Sequence, residues 1–199
     1  MSQEDQLKWD KKYSENEKLL KFREPSPLLQ HYYTDAPGTK ALDIACGTGR
    51  NTHYLVSKGF EVDALDISAV ALQELTQQMK KATDLAMIHT QLVDLDSYTP
   101  PADTYDLVIQ TNFLDRRLIP LLANSLRPNG LLIIETYMLD PKNQKKGSNQ
   151  TYLLRPGELP TYFNAQHTIL FYDEFWNQGE NYRMRKQGIV LKKSASNNE

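Results

Sequence analysis

A loop of small residues stands between an apolar run and a segment of helical character. It is residues 45–49, Ala-Cys-Gly-Thr-Gly. Small side chains let a ligand approach the backbone closely, and glycine adopts positive φ without strain. Asp66 ends the next apolar run, where its carboxylate can accept hydrogen bonds from both hydroxyls of a ribose bound over the glycines. The spacing therefore predicts a nucleoside-binding site.

The charge beside this loop separates two classes of ligand that use the same geometry. A dinucleotide-binding turn has a third small residue three positions after its second glycine, where the helix N-terminus faces a pyrophosphate. Here Thr52 stands at that position, and Asp43 lies just before the loop. An acid is unfavourable near a pyrophosphate but suits an ammonium or sulfonium cation. The residues therefore favour a cationic nucleoside, and a nicotinamide dehydrogenase is the disfavoured alternative.

The loop and its surroundings resemble a known family. Residues 42–51, Leu-Asp-Ile-Ala-Cys-Gly-Thr-Gly-Arg-Asn, are similar to the first motif of class I S-adenosylmethionine-dependent methyltransferases. Within that class the sequence is most similar to the small tellurite-resistance (TehB-like) group. In that group the glycine loop continues into Arg-Asn and is followed, after a helix, by Gly-aromatic-x-Val-Asp-Ala, which residues 59–64 match. The resemblance to the class covers about residues 40–138.

The resemblance implies S-adenosylmethionine as the cofactor and assigns positions for its nucleoside part. Asp66 would hold the ribose hydroxyls, and Ile67 would pack on the adenine. Asp94 would accept a hydrogen bond from the adenine amino group, and Leu95 would supply a backbone N–H to the ring. The cofactor-binding residues implied in all are Tyr13, Asp43, Ala45, Cys46, Gly47, Thr48, Gly49, Asp66, Ile67, Asp94, Leu95, Gln110 and Thr111.

Other positions are assigned to the methionine end and the acceptor side. The loop backbone would lie against the methionine moiety, with Asp43 near its amino group through the loop or a water. Gln110 and Thr111 would line the methyl-donor and substrate side. The N-terminal segment also resembles the group, in which it folds over the cofactor, and Tyr13 is the candidate contact. An amphipathic helix that merely covers the core is the alternative for that segment.

No residue presents itself as a general base, so the catalytic residues are left unassigned. Three histidines, His53, His89 and His167, are expected to pack or to face solvent, whereas His31 could reach the substrate mouth. Cys46 is expected to serve as a small loop residue and not as a nucleophile. A soft or already ionised acceptor, such as a thiolate, selenite or tellurite, needs no base. We therefore predict methyl transfer to a small acceptor of this kind by in-line displacement; the alternative is an S-adenosylmethionine-binding regulatory or partner module without turnover.

Alternating strands and helices must position these residues. The alternation indicates a parallel sheet with helices on both faces, and the end of the chain predicts an antiparallel hairpin. With the resemblance, the fold class is α/β, a three-layer Rossmann-like methyltransferase fold whose seven-stranded sheet is mostly parallel. The predicted strands are 40–45, 60–65, 85–93, 105–111, 131–138, 167–176 and 182–192. The predicted helices are 52–58, one that runs to about residue 81 with Ser68 as its N-cap, and 115–126. Turns are predicted at 127–130 and at 177–180, which joins the hairpin.

Length and composition limit the remaining possibilities. The 199 residues predict one domain, with an N-terminal cofactor-covering segment (1–35), a nucleotide-binding core (36–138) and a substrate loop with the terminal hairpin (139–193). A net charge of −2 argues against a nucleic-acid partner. Apolar runs are too short for a membrane span, one cysteine excludes an internal disulfide, and no metal site is expected. The acidic start is unlike a secretory signal, so we expect a cytoplasmic enzyme with a small-molecule partner and an oligomeric state left open.

Overall fold

A computed structural model describes residues 3–21, 23–79, 82–145, 147, 149–178 and 182–195. In these residues the protein is built around one seven-stranded sheet. The strands are β1 (Lys40–Ile44), β2 (Glu61–Asp66), β3 (Ile88–Leu92), β4 (Tyr105–Thr111), β5 (Leu126–Tyr137), β6 (His167–Trp176) and β7 (Arg185–Lys193). Their order is β3-β2-β1-β4-β5-β7-β6. The first five strands pair in parallel, and β7 runs antiparallel between β5 and β6. The predicted fold class is confirmed.

In the described residues, seven helices connect or cover these strands. They are α1 (Gln3–Glu15), α2 (Glu17–Leu20), α3 (Pro27–Tyr32), α4 (Arg50–Ser57), α5 (Ala69–Gln78), α6 (Ala82–Leu85) and α7 (Leu118–Ser125), with 3-10 turns at Tyr33–Asp35, Gln150–Tyr152 and Leu159–Tyr162. The predicted N-cap of α5 is present, since the hydroxyl of Ser68 accepts the N–H of Ala71 at 3.2 Å. None of the helices in the described part of the chain has the length and apolar character needed to span a membrane.

The central strands are apolar on both faces because helices cover both. Leu42, Val108 and Ile134 face the cluster that contains α7, and Leu107 and Ile133 face the cluster formed with α3, α4 and α5. All five of these side chains are fully buried. Strands buried on two faces read as continuous apolar runs, which is why the sequence shows them so clearly.

Several predicted boundaries differ from those observed. The third strand begins at Ile88 and not at residue 85, because residues 82–85 form a helical turn. The helix predicted from 115 begins at Leu118, which places Pro120 in its first turn, where a missing N–H costs nothing. Residues 127–130, predicted as a turn, lie within β5. The pairing of β5 with β4 shifts register there, and Asn129 has a φ of +65°. Residues 179 and 180 of the predicted hairpin link lie outside the described residues.

Candidate functional site

The glycine loop leaves the carboxyl edge of the sheet in a left-handed conformation. Ala45, Gly47 and Gly49 have φ values of +53°, +57° and +79°. The N–H of Cys46 donates to the carbonyl of Leu65 at 2.9 Å, which fixes the start of the loop against β2. A non-glycine residue at positive φ is strained, and strained residues cluster at active sites and ligand clamps. The loop is therefore a strained, side-chain-poor surface at the end of β1.

Asp66 closes the other side of this surface. Its carboxylate accepts the N–H of Gly47 at 2.8 Å through one oxygen and the N–H of Ser68 at 2.9 Å through the other. Burial raises the pKa of this carboxyl, and the backbone donors oppose that shift. Each carboxylate oxygen has a second lone pair, so Asp66 can hold the loop and still accept from a ligand hydroxyl.

Tyr13 brings the N-terminal segment onto the loop. A Cβ atom at Gly47 would lie 2.7 Å from the Tyr13 hydroxyl oxygen, so only glycine fits beneath it. Helix α1 is fixed in this position by Asp10, whose carboxylate accepts the hydroxyl of Ser68 at 2.7 Å and the N–H of Val70 at 3.3 Å. Burial, and then the charge of Asp66, raise the pKa of the Tyr13 phenol, which stays neutral. The structure thus places Tyr13 beside the loop.

Asp43 lies beneath the loop inside the sheet. Its side chain is buried and accepts the hydroxyl of Thr52 at 2.7 Å. Burial raises the pKa of Asp43 to about 7, while the hydroxyl of Thr52 and the charge of Arg50 act in the opposite direction. Thr52 therefore has a role that sequence analysis missed: it joins the first turn of α4 to the acid below the loop.

Gln110 and Thr111 end β4 and face opposite sides of the sheet. The amide nitrogen of Gln110 donates to the carbonyl of Phe113 at 3.1 Å, and its buried Oε1 has no partner among the described residues. The hydroxyl of Thr111 accepts the amide of Asn51 at 3.1 Å, and the Asn51 oxygen accepts the N–H of Ser26 at 3.0 Å. Thr111 is therefore connected to the N-terminal segment.

A buried ion pair supports that connection, and sequence analysis missed it. Lys186 Nζ lies 3.1 Å from Glu135 Oε1, and the second carboxylate oxygen accepts the hydroxyl of Ser26 at 2.9 Å. Glu135 and Lys186 are 5% and 4% exposed. The signal in the sequence that could have revealed this pair is a charged residue within each of two strands that are otherwise largely buried. The pair joins β5, β7 and the segment before α3.

The residues assigned to the adenine follow β2 and β3 at the same edge. Ile67 and Leu95 are buried among the chain's own residues, at 8% and 0% exposed. Asp94 Oδ1 accepts the N–H of Asp96 at 2.9 Å within its own turn. The contacts of these residues fix their backbone, and their roles toward a cofactor stay predictions.

The histidines are distributed away from one another. His89 Nε2 lies 2.8 Å from the carboxylate of Glu61, and the ring of His31 packs against Tyr32 at 4.6 Å. Burial lowers the pKa of His53 and His167. Within the described ranges, no group of three or more His, Cys, Asp or Glu side chains is placed to hold a metal ion.

Comparison with known proteins agrees with this geometry. Residues 12–195 match the family described as Tellurite resistance protein TehB. Glycine N-methyltransferase of Rattus norvegicus is 31% identical over 136 residues, which are 57% of this chain and 46% of that protein. The crystal structure of TehB from Haemophilus influenzae superposes with a TM-score of 0.68 at 21% identity, over 85% of this chain and 63% of that one.

A second solved structure matches over its full length. It is a S-adenosylmethionine-dependent methyltransferase from Methanosarcina mazei, with a TM-score of 0.64 and 15% identity over 87% of this chain and 100% of the other. The present chain spans about half the length of the rat relative. The findings confirm the predicted family and fold class and support S-adenosylmethionine as the cofactor. This chain belongs to the TehB family and has the fold of the S-adenosylmethionine-dependent methyltransferases.

Proposed function

We propose that this protein transfers a methyl group from S-adenosylmethionine to a small-molecule acceptor that is soft or already ionised. The observation that carries the proposal is the left-handed loop enclosed by Asp66 and Tyr13. It combines a close backbone approach, a carboxylate for ribose hydroxyls and an aromatic cover in one place. A Cβ atom at Gly49 would lie 2.5 Å from Leu75 Cδ1, so this loop is shaped by its glycines. The residues present fit the cofactor.

The chain's own contribution to the reaction is binding, orientation and exclusion of water. Asp66 would hold the ribose, Ile67 would pack on the adenine, and Leu95 would supply a backbone N–H to the ring. Tyr13 on α1 would cover the methionine part. The bound cofactor supplies a sulfonium-activated methyl group. Alignment of an acceptor with that methyl group supplies about 7–11 kcal/mol of the barrier reduction in well-oriented systems, without a covalent enzyme intermediate.

Positive charges near Tyr13 and α1 support an anionic acceptor. Burial lowers the pKa of Lys12, and the charges of Lys145, Lys8 and Arg23 lower it further. These cations come from three separate segments, and each of the other three lies near enough to Lys12 to act on its charge. Their combined field would attract an anion to the α1 side of the loop, where the carboxylate of the cofactor or an ionised acceptor can bind.

The carboxylate at position 66 gives the direct test. In calorimetric titrations with S-adenosylmethionine, Asp66→Asn is expected to weaken binding by about 1.5–3 kcal/mol, because a charge-assisted hydrogen bond is lost. Asp103→Asn is the matched control, since Asp103 pairs with Lys193 at the opposite edge of the sheet. Failure of the intact chain to bind S-adenosylmethionine would refute the proposal.

The acceptor is identified by turnover. Incubation with S-adenosylmethionine and a panel of thiols, selenium and tellurium oxyanions, phenols and amines is read out as S-adenosylhomocysteine. We expect product with a thiolate or oxyanion. Binding without product from any acceptor would favour the alternative, a binding module without turnover.

A further inference from the structure

We propose that Lys145, Arg183 and Arg185 bind a carboxylate or phosphate group that the methyl acceptor carries at a distance from its nucleophilic atom. The inference rests on the proposed function and deepens it, since it assigns a second ionised group to the acceptor. The three cations belong to a cation–aromatic cluster, which consists of Lys145, Trp176, Tyr182, Arg183 and Arg185. A bare oxyanion has no second group to place there, so the cluster indicates a larger acceptor.

The cations of the cluster lie over aromatic rings. The guanidinium carbon of Arg183 lies 4.2 Å from the centroid of the Trp176 ring, and that of Arg185 lies 5.5 Å from the same ring. Lys145 Nζ lies 5.1 Å from the centroid of the Tyr182 ring. A ring face attracts a cation without taking its N–H donors, which stay available to both oxygens of a carboxylate or phosphate. The rings therefore hold these cations in place without neutralising them.

The absence of carboxylate partners distinguishes these cations. Arg127, at the opposite end of β5, pairs with Asp106 at 3.1 Å, whereas the three cations of the cluster form no ion pair within the described ranges. Glu174 lies two positions before Trp176, but its Oε1 accepts the N–H of Gly157 at 2.7 Å. Positive charges that lie close together repel one another, and a bound anion would relieve that repulsion.

The sheet places the cluster at the edge from which the glycine loop leaves. The loop follows the carboxyl end of β1, and β7 runs antiparallel to the parallel strands, so it begins at that edge with Arg185. Trp176 ends β6 there, in register with Arg185. The N–H of Arg183 donates to Gln144 Oε1 at 2.7 Å, and its carbonyl accepts the N–H of Gln144 at 2.9 Å. The cluster therefore lies at the edge where parallel sheets bind their ligands.

The strand order shows on which side of the loop the cluster lies and how far away. Asp66, proposed to hold the ribose, ends β2, whereas β4, β5 and β7 follow on the other side of β1. Neighbouring strands are about 4.8 Å apart, which puts β7 about 10 Å beyond β4. Lys145 also lies near the cover of the loop, since its charge adds to burial in lowering the pKa of Lys12, the neighbour of Tyr13. A group bound by the cluster is therefore about 10 Å from a methyl group held beside β4.

The test uses thiol acceptors that differ only at the end remote from the sulfur. Mercaptohexanoate ends in a carboxylate and mercaptohexanol in a hydroxyl, and their extended chains span a distance of this order. Product is measured as S-adenosylhomocysteine, and the readout is the ratio of the two kcat/KM values. We expect the wild-type protein to prefer the carboxylate about tenfold or more, because charge-assisted hydrogen bonds are gained. Mercaptoacetate and mercaptoethanol are the short pair, for which we expect no such preference.

Substitution of the cations links the preference to the cluster. The double variant Lys145→Gln with Arg183→Gln removes two charges and is expected to lower the ratio about tenfold. Arg183→Lys keeps a charge over the ring and is expected to retain part of the preference. Arg127→Gln is the matched control, since it removes an exposed cation at the opposite end of β5 and is expected to keep the wild-type ratio.

Each other outcome overturns the assignment. A wild-type ratio near one, or a wild-type ratio in the double variant, would show that the cluster does not bind the acceptor. If the double variant weakens S-adenosylhomocysteine in calorimetry as much as it lowers the ratio, the cations bind the cofactor instead. If the wild-type chain binds no S-adenosylmethionine or methylates no thiol, the proposed function fails together with this inference. If it methylates both long thiols equally, only this inference fails.

Discussion

Removal of one partner of the buried ion pair is expected to destabilise the fold strongly. In Lys186→Met, the carboxylate of Glu135 would lose the ammonium at 3.1 Å and keep the Ser26 hydroxyl at 2.9 Å. The Lys186 and Glu135 side chains are only 4% and 7% exposed, so we expect that water does not replace the lost partner. An uncompensated buried charge costs about 3–5 kcal/mol. We expect a loss of this size in the free energy of unfolding.

Urea unfolding of a double-mutant cycle measures this coupling. The double variant Glu135→Leu with Lys186→Met removes both charges, and apolar replacement of such a pair is often neutral or stabilising. The double variant is therefore expected to recover most of the loss. Lys11→Met is the control, because Lys11 lies 3.8 Å from Glu15 on α1 and both side chains are at least 66% exposed. Its expected cost is about 0.5 kcal/mol or less.

Two results would refute this reasoning. If Lys186→Met costs no more than Lys11→Met, water or another donor compensates the carboxylate in the folded state. If the double variant loses as much as the two single variants together, the charges are not coupled. A coupling free energy of about 2 kcal/mol or more supports the pair as described.

Three further perturbations address the site. Because the pKa of Asp43 is raised to about 7 in the folded state, this carboxyl keeps its proton there after it has lost it in the unfolded state. Its contribution to the free energy of unfolding therefore falls as pH rises from about 4 to about 7. Urea unfolding of Asp43→Asn should lack this contribution, a slope of about 1.4 kcal/mol per pH unit. Gly49→Ala should cost more in thermal unfolding than Gly59→Ala, because both have left-handed φ but only a Cβ at Gly49 meets another side chain. Asp10→Ala should increase hydrogen exchange in α1, since it removes the acceptor for the hydroxyl of Ser68; unchanged exchange would show that α1 is held by packing alone.

Local patterns were sufficient to predict the sheet and the glycine loop. Strand β4 has the predicted bounds, because a strand buried on both faces is a continuous apolar run. The predicted start of β3 is three residues early, since Leu85 is apolar like a strand residue but ends the helical turn of α6, and β3 begins only at Ile88. The left-handed conformation of Gly47 and Gly49 agrees with the predicted loop because residue type controls it locally.

The missed parts of the site depend on contacts between distant residues. Glu135 and Lys186 are 51 positions apart, and Ser26 lies far from both in the chain. The orphaned oxygen of Gln110 depends on where the Phe113 carbonyl points, which sequence does not show. Tyr13 was placed at the loop through resemblance to a family and not through periodicity. Tertiary contacts of this kind require the assembled sheet.

The position of β7 has a consequence for the order in which the molecule can be completed. It is the last strand of the described residues and yet lies inside the sheet, between β5 and β6. While a ribosome is still adding residues 185–193, one side of β5 has no strand to pair with and β6 has no place to join. During that interval the carboxylate of Glu135 also lacks the ammonium of Lys186 as its partner. Closure of the sheet and neutralisation of its interior charge therefore coincide in one late, long-range step, when a nascent chain is most exposed to aggregation.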